Sequence, residues 1–168
     1  LIKENGWTAV SIRAVASRCS VSAGTIYNYY ESKADLLGDT IESIWREIFF
    51  NPEDEQAFND VAACISWIYK RLEYGNEQFP GFFSLHSLGF MKDEKMDGKK
   101  KMLQTWGHIL NGLCDILKND PKIRPDVFDE QFTEKQFADI LFSLILVSMI
   151  RQDYNPSSIL MLINKTLY

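Results

Sequence analysis

The stretch SIRAVASRCSVSAGTIYNYYESK, residues 11–33, decides the fold of the N-terminal part of the chain. Its first residue, Ser11, is of a type that caps helix N-termini well. The apolar residues that follow are spaced i, i+3, i+4 and i+7, the pattern of one buried helix face. They are Ile12, Val15, Ala16 and Cys19. We therefore expect a first helix over residues 11–19.

A second, very short helix is predicted to follow at once. Ser22 is its expected N-cap, and Ile26 and Tyr30 would point inward together at i and i+4. Only Ser20 and Val21 lie between the two helices, so the turn is tight, and we expect Val21 to fill the junction. Two helices joined in this way form a helix-turn-helix.

A third helix is expected from Ser32, another N-cap residue, to about residue 50. It should end near Asn51-Pro52, because proline disfavours helix at the residue before it. Its apolar face consists of Leu36, Leu37, Ile41, Ile44, Trp45 and Ile48. Before the first helix, LIKENG resembles the last turns of another helix closed by Gly6, so we expect the natural start to lie upstream. The predicted division is a three-helix domain over 1–50 and a helical domain over 51–168.

The composition is that of a folded protein, with 46% hydrophobic and 24% charged residues. A net charge of −5 and a pI near 5.1 argue against a protein that coats nucleic acid through bulk charge. The charge is unevenly divided. Residues 1–33 contain four Lys and Arg and two Glu, a net +2, which leaves −7 for the remaining residues. A local basic face is therefore compatible with the sequence.

Several classes of site are not supported by the sequence. Three widely spaced cysteines without a CxxC pair, and only two histidines, argue against a disulfide framework or a zinc site. We expect small buried thiols in a reducing cytoplasm. The apolar run over 138–150 is shorter than the roughly 20 residues of a membrane span. No GxSxG, Walker loop, GxGxxG or HExxH is present, so neither an enzyme nor a cofactor is predicted.

Five polar-tipped residues are left on the first turns of the helices once the core has been assigned. Their hydroxyl, amide and ammonium groups suit phosphate oxygens, and an asparagine can also reach a base edge. Helix N-termini add free N–H groups, and the absence of a side chain at Gly24 lets a DNA backbone come close. The five residues are Thr25, Tyr27, Asn28, Tyr29 and Lys33. The sequence predicts that this surface lies in a DNA major groove.

Residues 6–37, GWTAVSIRAVASRCSVSAGTIYNYYESKADLL, resemble the DNA-binding domain of the TetR (tetracycline repressor) family of bacterial regulators. The shared features are Val-Ser-x-Gly-Thr-Ile-Tyr at 21–27, an aromatic residue at 30 and Ser-Lys-x-x-Leu at 32–36. Three positions depart from the family pattern. Ser20 replaces a usual glycine, Val15 a commoner isoleucine and Tyr29 a frequent histidine. We expect Ser20 to strain the turn, since glycine tolerates a left-handed conformation better.

The resemblance implies roles for individual residues. Phosphate contacts would come from Ser11, Ser22, Thr25, Tyr27, Tyr29 and Lys33. Bases would be faced by Ala23, Gly24 and Asn28, and Arg13 is a further DNA contact. The alternative is that the two tyrosines only pack against the third helix and that the lysine is a solvated surface residue. The resemblance also implies a homodimer on a palindromic operator and a small-molecule effector bound by the second domain.

In the second domain we expect helices over about 56–74, 82–91, 100–118, 134–152 and 157–167. The last two are predicted to form the dimer interface, as half of a four-helix bundle, because few polar residues interrupt them. The interface residues would be Phe137, Leu141, Leu144, Ile145, Ser148, Ile159, Leu160 and Ile163. The alternative is that the helix over 134–152 is a central core helix of a single chain.

An effector pocket is predicted among the aromatic residues in the middle of the chain, because ligand pockets are commonly apolar with a few polar groups. The candidates are Trp67, Tyr74, Phe82, Phe83, His86, Phe90 and Trp106. The alternative for each is an ordinary core contact, and His86 and His108 are structural histidines by default. The identity of the effector is not contained in the sequence.

The function predicted is that of a ligand-responsive repressor, with the third helix connecting the two domains. The alternative is that the protein activates transcription. A helix-turn-helix protein that binds another protein or RNA is the alternative function, which the acidic net charge favours, and an enzyme is the third.

Overall fold

A computed structural model describes residues 1–49, 58–83 and 96–168, and their side chains except those of Trp7 and residues 96–106. Every regular element in these ranges is helical, so the all-helical prediction is confirmed. A short 3-10 turn, Trp7–Ala9, follows the first helix. The helices are α1 (Ile2–Asn5), α2 (Ile12–Arg18), α3 (Ala23–Tyr27), α4 (Lys33–Phe49), α5 (Val61–Gln78), α6 (Met96–Asn119), α7 (Glu134–Arg151) and α8 (Ser157–Thr166).

Serine side chains begin the three helices of the N-terminal region, as predicted. The Ser11 hydroxyl accepts a hydrogen bond from the backbone N–H of Ala14 at 3.1 Å. Ser22 accepts from Thr25 at 3.1 Å, and Ser32 accepts from Asp35 at 3.2 Å. Each serine oxygen pairs with one of the N–H groups that a helix start leaves without a partner inside the helix.

A small hydrophobic core holds α2, α3 and the start of α4 together. Its buried members are Ile12, Ala16, Ile26 and Leu36, and Val15, Ala23 and Tyr30 pack against them. Two expectations about this core were wrong. Cys19 is exposed, because α2 ends at Arg18 and the i+7 position falls beyond its last turn. Val21 is 40% exposed, so its side chain does not fill the junction.

Backbone hydrogen bonds close the turn between α2 and α3 instead. The N–H of Val21 donates to the carbonyl of Ala16 at 2.9 Å, and that of Ser20 donates to Ser17 at 3.2 Å. These two bonds define a Schellman motif, whose C′ position takes the left-handed conformation and favours glycine. Ser20 occupies that position with a φ of 56°. The strain expected from this departure is therefore present in the turn.

A much larger core lies among α5, α6, α7 and α8. The central helix is α5, whose Val61, Ile65 and Leu72 are almost completely buried. The second half of α4 contributes Ile44 and Ile48 to this larger core. Because its first turn belongs to the small core, α4 connects the two parts of the molecule.

We call the described residues 58–83 and 96–168 the second region. Its first helix starts later than predicted. Asp60 caps it by accepting from the N–H of Ala63 at 2.7 Å, so α5 spans Val61–Gln78 rather than 56–74. Phe58, inside the predicted range, precedes the helix and is 48% exposed. The helix expected over 82–91 falls largely outside the described residues. The two last helices have nearly their predicted bounds.

A buried carboxylate, Asp120, joins three segments of the second region. It accepts hydrogen bonds from the N–H of Val61 at 2.9 Å, the N–H of Lys122 at 2.9 Å and the hydroxyl of Tyr168 at 2.6 Å. Burial and the bond to this carboxylate raise the pKa of the Tyr168 hydroxyl. The start of α5, the end of α6 and the last residue are thereby held at one point.

The described residues contain neither a metal site nor a membrane-spanning helix. No group of His, Cys, Asp or Glu in them is placed to hold a metal ion. None of the described helices is both long and apolar enough to cross a membrane. Of the cysteines, Cys64 is buried and Cys114 is half-buried, unlike Cys19.

Candidate nucleic-acid interface

The tyrosines of the helix-turn-helix lie on its surface. Tyr27 is 54% exposed and Tyr29 is 80% exposed, so packing against α4 does not account for either side chain. Asn28 and Lys33 are also exposed. The structure thus presents two phenol groups, an amide and an ammonium group to solvent around the end of α3 and the start of α4.

Ser11 and the Ser22–Thr25 pair each keep an O–H that can be donated outward, whereas the O–H of Ser32 donates to the Asp35 carboxylate at 3.0 Å. Ser22 accepts from the N–H of Thr25, and the hydroxyls of these two residues lie 2.9 Å apart, so that either can donate to the other. Because a capping hydroxyl uses its oxygen as an acceptor, its own O–H remains a donor. The same holds for Ser11, which is half-buried. These hydroxyls are neutral donors of the kind that contact DNA phosphates.

Two of the four cations in residues 1–33 are neutralised within the chain. Lys3 forms an ion pair with Glu47 at 2.6 Å, and Arg18 forms one with Glu4 at 2.6 Å. Arg13 and Lys33 are exposed, and no ion pair to either is found in the described part of the chain. The positive charge available to a polyanion on this surface therefore comes from Arg13 and Lys33.

Gly24 is exposed on α3, and the fold does not require a glycine there. A Cβ built on it would meet only the Ser22 hydroxyl oxygen, at an ordinary 3.6 Å. Its φ is not in the left-handed region either. A glycine inside a helix costs about 1 kcal/mol relative to alanine. The open space above Gly24 is thus available to a molecule outside the chain. Ala23, by contrast, is half-buried against the small core.

The aromatic residues predicted for an effector pocket have different surroundings. Phe82 and Phe83 are buried, and both lie against Trp45 of α4, with ring centroids 5.6 and 5.7 Å away. Trp67 is half-buried beside Phe49, at 5.8 Å. The helical spacing of Trp45 predicts only a position on the core face of α4, because Phe82 and Phe83 are too distant in sequence for that spacing to indicate them.

The remaining pocket candidates are more dispersed. Tyr74 is half-buried, and the guanidinium of Arg71 lies over its ring at 4.6 Å. His108 is exposed. His86, Phe90 and the side chain of Trp106 lie outside the described residues.

Tyr154 is a further candidate that sequence reasoning missed. Its hydroxyl oxygen is buried, and no hydrogen-bond partner for it is found in the described part of the chain. Burial raises the pKa of this phenol to about 12. Its ring lies 6.2 Å from that of Phe83. No sequence signal marks it, because the residue follows the end of α7 without a motif.

The residues predicted for a dimer interface are mostly inside the chain. Five of the eight are buried in the large core, namely Phe137, Leu141, Ile145, Ile159 and Ile163. Leu160 packs partly against that core, and Ser148 hydrogen-bonds the Tyr69 hydroxyl at 2.7 Å. Only Leu144 has an exposed side chain. The five buried side chains could not reach a partner without leaving their own core.

The same two helices nevertheless expose another apolar set. We call this the aliphatic face of α7 and α8. It consists of Ile140, Leu144, Val147, Ile150, Met161 and Leu162, each at least 36% exposed. An apolar face of this kind is typical of a protein-protein contact. Sequence periodicity did not separate it from the buried side, because between Phe137 and Ile150 the helix α7 carries only three polar residues, Asp139, Ser143 and Ser148.

The comparisons with known proteins agree with this geometry. Residues 1–40 match the family model described as bacterial regulatory proteins, tetR family. A search of curated proteins found no match. Among solved structures, the crystal structure of the transcriptional regulator FadR from Bacillus subtilis in complex with stearoyl-CoA is similar, with a TM-score of 0.54. The identity is 19%, and the alignment covers 98% of this chain and 89% of that one, so the likeness is one of fold. Residues 1–40 therefore match the helix-turn-helix model of the tetR family, and nearly the whole chain shares the fold of a transcriptional regulator.

Proposed function

We propose that this protein is a homodimeric, ligand-responsive repressor that binds a palindromic operator in the bacterial cytoplasm. The observation that carries the proposal is the exposure of Tyr27, Tyr29, Asn28 and Lys33 around the short helix α3. Lysine and asparagine are commonly exposed, but a tyrosine ring is usually at least partly buried, so the exposure of Tyr27 and Tyr29 is the informative part. Here they face solvent with their donor groups outward, and this arrangement suits contacts with DNA phosphates and base edges.

In the proposed complex, α3 enters the major groove. Gly24 allows a close approach and Asn28 reaches a base edge. Ser11, Ser22, Thr25, Tyr27, Tyr29, Lys33 and Arg13 donate to phosphates on either side. We call α1, α2, α3 and the first turn of α4 the head. Because only Arg13 and Lys33 among these phosphate contacts carry charge, each head would displace about two counterions. A dimer would then show a slope of log affinity against log salt of about −3.6.

The aliphatic face of α7 and α8 is the proposed dimer contact. Two heads joined through it would read half-sites about 34 Å apart on one side of the duplex. A single head of this size makes few contacts, so pairing two of them supplies the affinity and specificity that a repressor needs. The interface residues proposed here therefore differ from the set expected from the sequence.

An apolar effector is proposed for the second region. The FadR structure contains stearoyl-CoA, a ligand with a long acyl chain, although the likeness between the two proteins is one of fold. In this chain, the support is the aromatic cluster of Trp45, Phe82 and Phe83. Beside it lies the buried Tyr154 hydroxyl, which has no hydrogen-bond partner among the described residues. This lining favours an apolar molecule with one hydrogen-bonding group.

Control would follow from a population shift. An effector that binds better to a dimer with wrongly spaced heads lowers the fraction of DNA-competent dimer. Repression is the proposed sign of control, because a dimer on a promoter needs only to obstruct the polymerase.

The test is a salt titration of fluorescence anisotropy. The duplex is first selected by the protein from a random-sequence library and is compared with a scrambled duplex. We expect selective binding that weakens as salt rises with the slope given above. A Tyr27→Ala, Lys33→Ala double variant should lose at least tenfold in affinity, since each head loses two phosphate contacts. Lys70→Ala, which removes an exposed lysine from α5, is the matched control and should bind as wild type does.

Two outcomes would contradict the proposal. Selection that enriches no sequence, with equal and weak binding to both duplexes, would favour the alternative that the helix-turn-helix binds a protein or RNA. Selective binding that the double variant retains would assign DNA recognition to another surface.

A further inference from the structure

The last turn of α4 is held against α5 by hydrogen bonds from one side chain of α5. The Nε of Arg71 donates to the carbonyl oxygen of Ile48, and its Nη2 donates to that of Glu47 at 3.0 Å. The final carbonyls of a helix have no partners inside the helix. A guanidinium satisfies two of them here, but it does so from a neighbouring helix. The bonds therefore fix the position of α4 on α5 as well as capping it.

One turn farther along α5, Gly75 lets α4 come close. A Cβ built on Gly75 would lie 2.6 Å from Cδ1 of Ile48 and 2.9 Å from Cζ of Phe83. A Cβ atom does not come that close to another carbon, so a larger residue would force the Ile48 and Phe83 side chains, or α4 itself, to shift. Ile48 is completely buried in this notch. Arg71 and Gly75 are four residues apart and so lie on the same face of α5.

The head reaches the same turn of α4 by a second route. Lys3 of α1 forms its 2.6 Å ion pair with Glu47, and its ammonium group lies 5.0 Å from the ring centroid of Phe79 at the end of α5. The hydrogen bond to Glu47 raises the pKa of Lys3, so the lysine is charged at neutral pH. The start of the head, the end of α4 and α5 thus meet at one place.

The helix that holds α4 is also joined to the helix that carries the aliphatic face. The hydroxyls of Tyr69 and Ser148 lie 2.7 Å apart and link α5 to α7. Tyr69 is only two residues from Arg71. A physical connection therefore runs from the proposed dimer contact through α5 to the end of α4.

We propose that Arg71 and Gly75 are positioning residues that fix the last turn of α4 on α5 and thereby set the spacing of the two DNA-binding heads. Neither residue would contact DNA or the effector. Arg71 prevents the end of α4 from sliding along α5, and Gly75 sets how closely the two helices approach. The inference rests on the proposed function, because head spacing has meaning only for a dimer on paired half-sites.

The experiment measures affinity against half-site spacing. The duplexes carry the selected operator with its half-sites moved together or apart by one or two base pairs, and one duplex carries a single half-site. Each base pair changes the separation by about 3.4 Å and rotates one half-site by about a tenth of a turn. We expect the wild type to show one sharp optimum. Arg71→Ala should bind the optimal duplex about tenfold more weakly, show a flattened profile and keep the wild-type affinity for the half-site.

Three variants make this result specific. Arg46→Ala removes an exposed arginine of α4 whose ion pair, at 2.9 Å, is with Glu42 of the same helix, and it should leave the profile unchanged. Arg71→Lys keeps the charge but not the two-pronged geometry, so its profile should be intermediate. Gly75→Ala should move the optimum to another spacing. If Gly75→Ala does not fold, the arginine variants still decide the question.

The outcomes separate this inference from the proposed function. A wild-type protein that selects no operator would refute the proposed function and the inference with it. A wild type with a sharp optimum and an Arg71→Ala variant with the same profile would refute the inference alone. Equal losses on the half-site and on the full operator, with a lowered melting temperature, would show that Arg71 only stabilises the fold.

Discussion

The head and the second region both expose large side chains, but of opposite chemistry. Tyr27 and Tyr29 in the head carry hydroxyl groups at the ends of their rings, whereas the aliphatic face of α7 and α8 carries no polar atom apart from the sulfur of a methionine. Burial alone would class the two surfaces together. The chemistry of the side chains distinguishes the two surfaces. A phenol group can exchange its hydrogen bonds to water for hydrogen bonds to phosphate, whereas an alkyl group forms none and is stabilised only by removal from water.

The two regions also differ in how they are held together. The head has a core of a few residues and depends on serine caps and backbone turn bonds. The second region packs α6, α7 and α8 around α5, and the buried Asp120 carboxylate links three of its segments by hydrogen bonds. A small core leaves most of the head's side chains at the surface. Exposed side chains suit a surface that would contact DNA, and the larger core suits the part of the molecule that would position this surface.

The largest effect is expected from a charge in the aliphatic face. In Val147→Lys, an ammonium group would face the partner, and leaving a charge unpaired in an apolar contact is costly. We expect a monomer in sedimentation equilibrium and an operator affinity at least 100-fold lower in anisotropy, with the helical content unchanged in circular dichroism.

Ser66→Lys is the control for that variant, because it adds the same charge to an exposed position on α5. It should remain a dimer with wild-type affinity. If Val147→Lys also stays dimeric, the aliphatic face is not the interface, and its exposure needs another partner.

A smaller effect, about tenfold in operator affinity, is expected from Gly24→Ala. The new methyl group has room in the free protein but would stand between α3 and the DNA. Because alanine is the better helix former, the same variant should be more stable by up to about 1 kcal/mol. Urea unfolding and anisotropy on one preparation measure both changes.

Gly112→Ala is the matched control, since Gly112 is also exposed in a helix with open space around it. It should gain similar stability and lose no affinity. Equal affinity in both variants would mean that no DNA group approaches Gly24 closely.

A stability change without an affinity change is expected from Ser20→Gly. The residue has a φ of 56°, where glycine is favoured, so the substitution removes strain. The flexible glycine also raises the entropy of the unfolded chain, which leaves a net gain of about 0.5 kcal/mol. Urea unfolding should show the gain, and unchanged anisotropy should show that the turn is only structural. A loss of stability would mean that the Ser20 side chain makes a favourable contact.

The smallest effect concerns the thiols. Burial raises the pKa of Cys64 to about 12, whereas Cys19 is exposed in the head. A thiol reagent at pH 8 should therefore label Cys19 quickly and Cys64 only on unfolding. The pKa of the Cys64 thiol is therefore higher in the folded than in the unfolded protein. Its contribution to the free energy of unfolding is fully present below the unfolded pKa of about 8.5, and it declines as the pH rises toward 12. Rapid labelling of Cys64 in the folded protein, mapped by mass spectrometry, would contradict the buried core around α5.

Much of the fold followed from local patterns. The capping serines, the start of α3, the approximate bounds of α2, α7 and α8, and the strained position of Ser20 were all predicted, because they depend on residues within one or two turns. The start of α5 was missed because Asp60, not an apolar residue, decides it. The roles of the DNA-contacting residues remain predictions, although the structure places most of them at the surface.

What the sequence by itself determined is the helical architecture, the helix-turn-helix and the chemical character of its surface. Capping, periodicity and turn chemistry are local, so they can be read along the chain. Only the tertiary structure decided which sides of α7 and α8 are exposed, and that Arg71 and Gly75 hold the end of α4. A helix with so few polar residues shows no clear buried side until its neighbours are packed against it, and a contact between residues 23 or more positions apart leaves no periodic signal.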